Sequence, residues 1–106
     1  MSAYELRTYQ IAPDRMAAVI DVMKELVEPI MPDSIEGIGY WSSPDEKTLY
    51  WIAKHDSLDL IKTNWDRFHA DPRWVEGLAA RKALEPIVTH VASVSMLGRD
   101  GLPPLV

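Results

Sequence analysis

The stretch that decides the fold is TLYWIAKH, Thr48 to His55. Its centre, Leu49-Tyr50-Trp51-Ile52-Ala53, is apolar without alternation. A run this short, rich in aromatic and β-branched residues and entered from a turn, predicts a strand. The missing two-residue period predicts that both faces of that strand are covered. A single sheet with helices on one side leaves its other face wet, and 106 residues make one domain with no second layer to spare. Cover must come from another chain. The expected assembly is a homodimer or a higher even-numbered homo-oligomer.

Working outward, Ile38 to Ser42 predicts the preceding strand, joined through the turn Ser43-Pro44-Asp45-Glu46-Lys47. At the start, YELRTYQI (Tyr4 to Ile11) alternates bulky and polar residues as a strand does. Pro13 and Asp14 then suit a helix start. Met16, Val19, Ile20, Met23, Leu26, Val27 and Ile30 recur at spacings of three and four, an amphipathic helix of about four turns. Pro29 and Pro32 are expected to bracket its end.

Beyond the central strand, Ser57 is a candidate N-cap, and Leu58, Ile61, Trp65 and Phe68 form a second apolar stripe. Asp71-Pro72 interrupts it. The residue before a proline is pushed out of helical conformation, so Asp71 ends one run and caps the next, with Pro72 at its first position. Trp65 and Trp74 flank this corner, and burying their indoles would fix its angle; a catalytic Asp71 is the alternative to a capping one. The run RWVEGLAARKALEP continues to Pro86, and VTHVASVSML (Val88 to Leu97) is the last strand. The order β-α-β-β-α-β is an α+β, ferredoxin-like arrangement with a four-stranded antiparallel sheet and both crossover helices on one face. It occupies residues 1–97. The tail 98–106 is apolar and proline-interrupted, and it is expected to pack on a neighbouring subunit or on the chain's own helices.

Composition narrows the function classes. With 11 basic against 16 acidic residues and a net charge of −5, no nucleic-acid partner is expected. No apolar stretch reaches the roughly 20 residues of a membrane helix, so no membrane insertion is expected. Cysteine is absent, which removes disulfides, thiolate metal sites and a thiol nucleophile. MSAYELRTYQI enters a strand pattern directly, with no leader-like segment, and a cytoplasmic location is expected.

Chemistry-bearing residues are few. His55, His69 and His90 show no metal-ligand spacing, so neither a metal nor a cofactor is expected. His69 lies near a helix end and His55 ends a strand beside Asp56. His90, within a strand expected to be covered, is either a hydrogen-bonded structural residue or a ligand or acid–base group. Glu5, Arg7 and Tyr9 share one strand face by parity. If that face is enclosed, the Arg7 guanidinium requires an anion, whether Glu5, another carboxylate or a bound acid. With Tyr9 beside it, the latter would suit a small carboxylate or an enolisable ketone. Trp41 and Trp51 are core residues or ligand stackers. Ser93 and Ser95 lie on the opposite parity from His90, and Gly37-x-Gly39 is too little for a phosphate cradle.

Certain motifs together resemble one family. ELRTY at 5–9, PDR at 13–15, Pro29-Ile30, GYW at 39–41 and DPRW at 71–74 are similar to the NIPSNAP family, over about Tyr4 to Met96. Where the family usually has a Pro-Gly-Lys-like turn, this chain has Pro13-Asp14-Arg15. The chain resembles the compact bacterial type rather than members with a mitochondrial leader. The resemblance implies a dimeric α/β barrel, in which two ferredoxin-like subunits pack sheet to sheet. The wider group holds haem-binding proteins, cofactor-free monooxygenases, isomerases and ligand domains of transcription regulators. Two readings follow: a domain that binds a partner or small molecule, and a cofactor-free monooxygenase or isomerase using Arg7, Tyr9 and His90.

Overall fold

The computed structural model describes residues 2–31 and 35–99. Strand β1 (Ala3–Ile11) leads into a helical run made of α1 (Met16–Val22), a widened π turn (Met23–Val27) and α2 (Glu28–Ile30). The hairpin β2 (Glu36–Ser42) and β3 (Thr48–His55) follows. Then come α3 (Leu60–Ala70), α4 (Pro72–Glu76), α5 (Leu78–Leu84) and β4 (Val88–Leu97). The sheet is antiparallel with strand order β2-β3-β1-β4, the ferredoxin-like order expected. Pro32 and residues 100–106, most of the tail, lie outside the described residues.

Local chemistry explains most boundaries. Arg15 N–H donates to the Ala12 carbonyl at 3.2 Å, closing a turn with Pro13 second and Asp14 third. Asp14 adopts φ 62°, the left-handed conformation that a turn of this kind demands of its third residue, and which glycine takes most easily. Asp14 therefore shapes the turn rather than the helix end. Pro29 does not bracket the helix; it lies inside the helical run, just after the widened turn. Its ring excludes a carbonyl four residues back and it has no N–H to give, so a local change of winding is the expected response. Ser57 does not cap α3: it offers only its carbonyl, to Leu60 N–H. The hairpin turn is tied as its sequence suggests, with Ser43 Oγ donating to Asp45 Oδ1 at 2.6 Å and accepting from Thr48 N–H at 3.0 Å.

Asp71 is extended (φ −62°, ψ 131°), and its carboxylate accepts the Arg73 N–H at 2.9 Å, with Pro72 opening α4. The continuous run expected to Pro86 is instead broken at Gly77. A Cβ there would lie 2.7 Å from Leu26 Cδ1 and 2.9 Å from the Arg73 carbonyl oxygen, so only glycine lets this corner approach the first helical run so closely.

The helices cover one face of the sheet. Leu49, Trp51, Ala53 and His55 of β3 are buried beneath them with Met16, Val19, Met23, Val27, Ile30 and Phe68. On the other face, away from the helices, Tyr50 of this strand is exposed in the single chain. Trp41, paired with Tyr50, is 52% exposed and folds its ring back over Gly39. β4 is an edge strand, exposed along most of its length in the single chain, and His90, opposite Gln10, lies on the sheet face away from the helices. Among the described residues no helix is long and apolar enough to cross a membrane.

Candidate functional site: an aromatic cavity between sheet and helices

β1 aims its odd-numbered side chains at the helical layer. Glu5, Arg7 and Tyr9 therefore do share a face, and it is the face beneath the helices. α3 places Trp65, Phe68 and His69 above it at helical spacing, and the Asp71-Pro72 corner swings Trp74 in beside them. Arg7, Tyr9 and these helical residues, with Trp51, Arg81, Glu85 and Val91, wall a cavity of about 270 Å³. Part of its lining is an aromatic cluster: Trp65 meets Phe68 edge-on at 5.3 Å and stacks on His69 at 5.9 Å, and Phe68 meets Trp74 at 5.0 Å.

Beneath the cavity lies one buried carboxylate. Glu5 is only 3% exposed, and its Oε1 accepts from Trp65 Nε1 at 2.6 Å and lies 2.6 Å from His55 Nε2. Its Oε2 accepts from Ser93 Oγ at 2.9 Å. On the far side of the His55 ring, Nδ1 is 2.9 Å from Asn64 Nδ2. An amide N–H can only donate, so Nδ1 accepts and Nε2 carries the proton toward Glu5. Burial by itself pushes the Glu5 carboxyl up. The hydrogen bonds from Trp65, Ser93 and His55, with the Arg7 charge, outweigh it and hold the group below the usual carboxylate range.

Arg7 is held differently. Its Nη1 is 3.6 Å from Glu5 Oε2, an ion pair beyond hydrogen-bond length, and its Nε donates to the Tyr9 hydroxyl at 3.4 Å. Its guanidinium carbon lies 4.6 Å from the Trp65 ring centre and 5.8 Å from those of Tyr9 and Trp51. Arg81 caps Trp74 in the same way at 5.2 Å. His69 is kept below its ordinary imidazole value by burial and by the Arg7 and Arg81 charges, which outweigh the opposing pull of Asp66.

The structure thus brings together Arg7, Tyr9 and Trp51, and separates them from the other two candidates. His90 and Trp41 belong to the opposite face, because their partners Gln10 and Tyr50 have the other strand parity. Asp71 faces Arg73 as a cap, not the cavity. The sequence reading missed the Glu5–His55–Asn64 chain and the contributions of His69 and Arg81. The signal for His69 was its spacing from Trp65; nothing local pairs Glu5 with His55. Two further hollows flank β2, of about 240 and 500 Å³, separated by Tyr40. The Tyr40 hydroxyl, pushed up to about 12 by burial and the Glu28 charge, keeps its proton there. Among the described residues no cluster of His, Asp and Glu could hold a metal ion.

Solved structures share this architecture. A NIPSNAP family protein from Agrobacterium tumefaciens superposes with TM-score 0.82 at 21% identity, over 97% of this chain and 98% of its own. An uncharacterized NIPSNAP domain protein from Burkholderia xenovorans gives 0.80 at 19%, over 96% and 99%. A monooxygenase, ActVA-Orf6 of Streptomyces coelicolor, solved with the ligand nanaomycin D, gives 0.70 at 20%, over 97% and 92%. These likenesses establish a shared subunit fold, that of the dimeric α/β barrels. No curated protein matches the chain by sequence. Residues 4–97 match the family model described as NIPSNAP, which spans most of the sequence, and the chain therefore belongs to the NIPSNAP family.

Proposed function

We propose that this NIPSNAP domain is a small-molecule-binding protein whose aromatic cavity takes a small apolar acid anchored by Arg7. One observation carries this reading: among the described residues, the one carboxylate ion-paired with Arg7 is already occupied. Glu5 spends its oxygens on His55, Trp65 and Ser93 at 2.6–2.9 Å, leaving Arg7 at 3.6 Å. A guanidinium stays charged at any working pH and offers five donors in a fork matched to a carboxylate. Here that fork sits on an aromatic wall, which suits an anion with an apolar body. Calorimetric titration with benzoate and 2-naphthoate tests it. Saturable binding by the wild type that is lost in a folded Arg7→Met variant is expected; equal, negligible heats from both would overturn the reading.

The enzyme alternative needed His90 beside Arg7 and Tyr9, and the opposite parity of that residue removes its acid–base group from the cavity. The likeness to a monooxygenase, at 20% identity, is one of fold. Binding is therefore the reading adopted, with action in the cytoplasm.

The working unit is proposed to be a homodimer or a higher even-numbered assembly. Support comes from the uncovered face, where Trp41, Tyr50 and Val94 are 52%, 37% and 55% exposed beside Leu6 and Ile52. A patch of this kind on a sheet invites a second sheet. Sedimentation at micromolar concentration should give species heavier than the 12.0 kDa chain. A stable monomer would refute this.

A further inference from the structure

Trp51 is fully buried at the back of the cavity, yet its indole Nε1 has no hydrogen-bond partner among the described residues. Its neighbours are ring faces, ring edges and a cation. Tyr40 stacks on it at 5.7 Å, Trp65 and Tyr9 meet it edge-on at 6.1 and 6.5 Å, and the Arg7 guanidinium lies 5.8 Å from its centre. The nearby polar groups do not answer it: Trp65 Nε1 is itself a donor, to Glu5, and the Tyr9 hydroxyl accepts from Arg7 and not from Trp51. A buried donor without an acceptor is rare and destabilising, and a phenylalanine would remove that donor, at the cost of leaving part of the indole's space empty.

Building on the proposed acid-binding role, we infer that the ligand supplies the missing acceptor: a planar aromatic acid whose carboxylate bridges Arg7 and the Trp51 indole N–H. One oxygen would take the guanidinium and the other the indole. Arg7 is the wall residue best able to adjust, because neither the 3.4 Å bond to Tyr9 nor the 3.6 Å ion pair with Glu5 is a short contact. The rings of Trp65, Phe68 and Trp74 provide the flat surroundings for the ligand body. Specificity follows from the pair of donors. An apolar molecule without an acceptor leaves the indole orphaned, whereas a carboxylate satisfies it together with Arg7.

The test uses the full ¹⁵N-labelled chain and 2-naphthoate. The Trp51 indole N–H resonance, identified by its loss in Trp51→Phe, should move downfield as 2-naphthoate is added. Trp51→Phe should bind 2-naphthoate about tenfold more weakly, and its melting temperature should fall because the smaller ring leaves core space empty. If Trp51→Phe fails to fold, the resonance is assigned through the other three tryptophans, and its movement in the wild type decides. Binding of 2-naphthoate with an unmoved Trp51 resonance would overturn this inference and leave the Arg7 reading standing. Absence of any 2-naphthoate binding would overturn both.

Discussion

Arg73 ties the carbonyl of Pro29 to the Asp71 corner. Its Nη1 donates to the Pro29 oxygen at 3.0 Å, while Nε and Nη2 hold the Asp71 carboxylate at 3.0 and 2.8 Å. Asp71 also caps α4 through the Arg73 N–H. Replacing it with alanine removes a cap and loosens this fork together. Asp71→Ala is expected to lower the melting temperature by roughly 5–10 °C for a domain of this size. Asp71→Asn keeps the capping oxygen and should lose less than half as much. Circular dichroism melts of the two variants check the order; equal losses would mean that the cap contributes little.

Asp14 occupies the left-handed position of the first turn at φ 62°, the place where the family's turn usually has glycine. Aspartate tolerates this conformation better than most residues but not freely. Asp14→Gly should be neutral or stabilise by up to about 1 kcal/mol, and Asp14→Val should destabilise by more than about 1 kcal/mol. Urea midpoints of the pair decide it, and a valine variant as stable as the glycine one contradicts the turn assignment.

The Glu5 carboxylate makes stability depend on acid. Its folded value lies below the unfolded one, so its contribution is complete above about pH 4.5. That contribution is lost as pH falls through the lower folded value. The denaturation midpoint of the wild type should drop steeply below pH 4.5, and Glu5→Gln should flatten that drop while lowering stability near neutrality. Parallel urea titrations at pH 7, 5, 4 and 3 measure both. A variant with an unchanged acid slope would show that Glu5 is not the group responsible.

His69 should report the arrival of an anion. Burial and the charges of Arg7 and Arg81 depress it in the free protein, so it is neutral at pH 7 and titrates below its usual 6.5. A bound carboxylate offsets those two charges and raises it, so binding takes up a proton. Affinity for 2-naphthoate should therefore increase as pH falls from 7.5 to 5.5, and His69→Gln should remove most of that dependence. Calorimetry in buffers of different ionisation heat counts the proton. Release rather than uptake would contradict the placement of the anion.

What was legible in the sequence was local. The Ser43–Lys47 turn, the Asp71-Pro72 joint and the strand parity of Glu5, Arg7 and Tyr9 each depend on neighbours within a few residues. Parity says which side chains stand together but not which face lies under the helices, and Arg7 could be placed in a site only once that was known. The face of His90 was illegible for a related reason: only the register, opposite Gln10 on an edge strand, places it away from the helices. The widened turn before Pro29 and the break at Gly77 are compromises between a helical pattern and a tertiary contact, which the pattern alone does not register.

The Glu5 network has a kinetic consequence as well. Its partners His55, Trp65 and Ser93 lie 50, 60 and 88 residues away along the chain. An intermediate that buries Glu5 before β4 docks would hold a charge with part of its solvation missing. Such a state is penalised, so partly assembled sheets are poorly populated and the strands are expected to lock in nearly one step. Contacts this distant also make that step slow. A single carboxylate in the first strand then acts as a proofreader of assembly, accepting the fold only when the last strand has arrived.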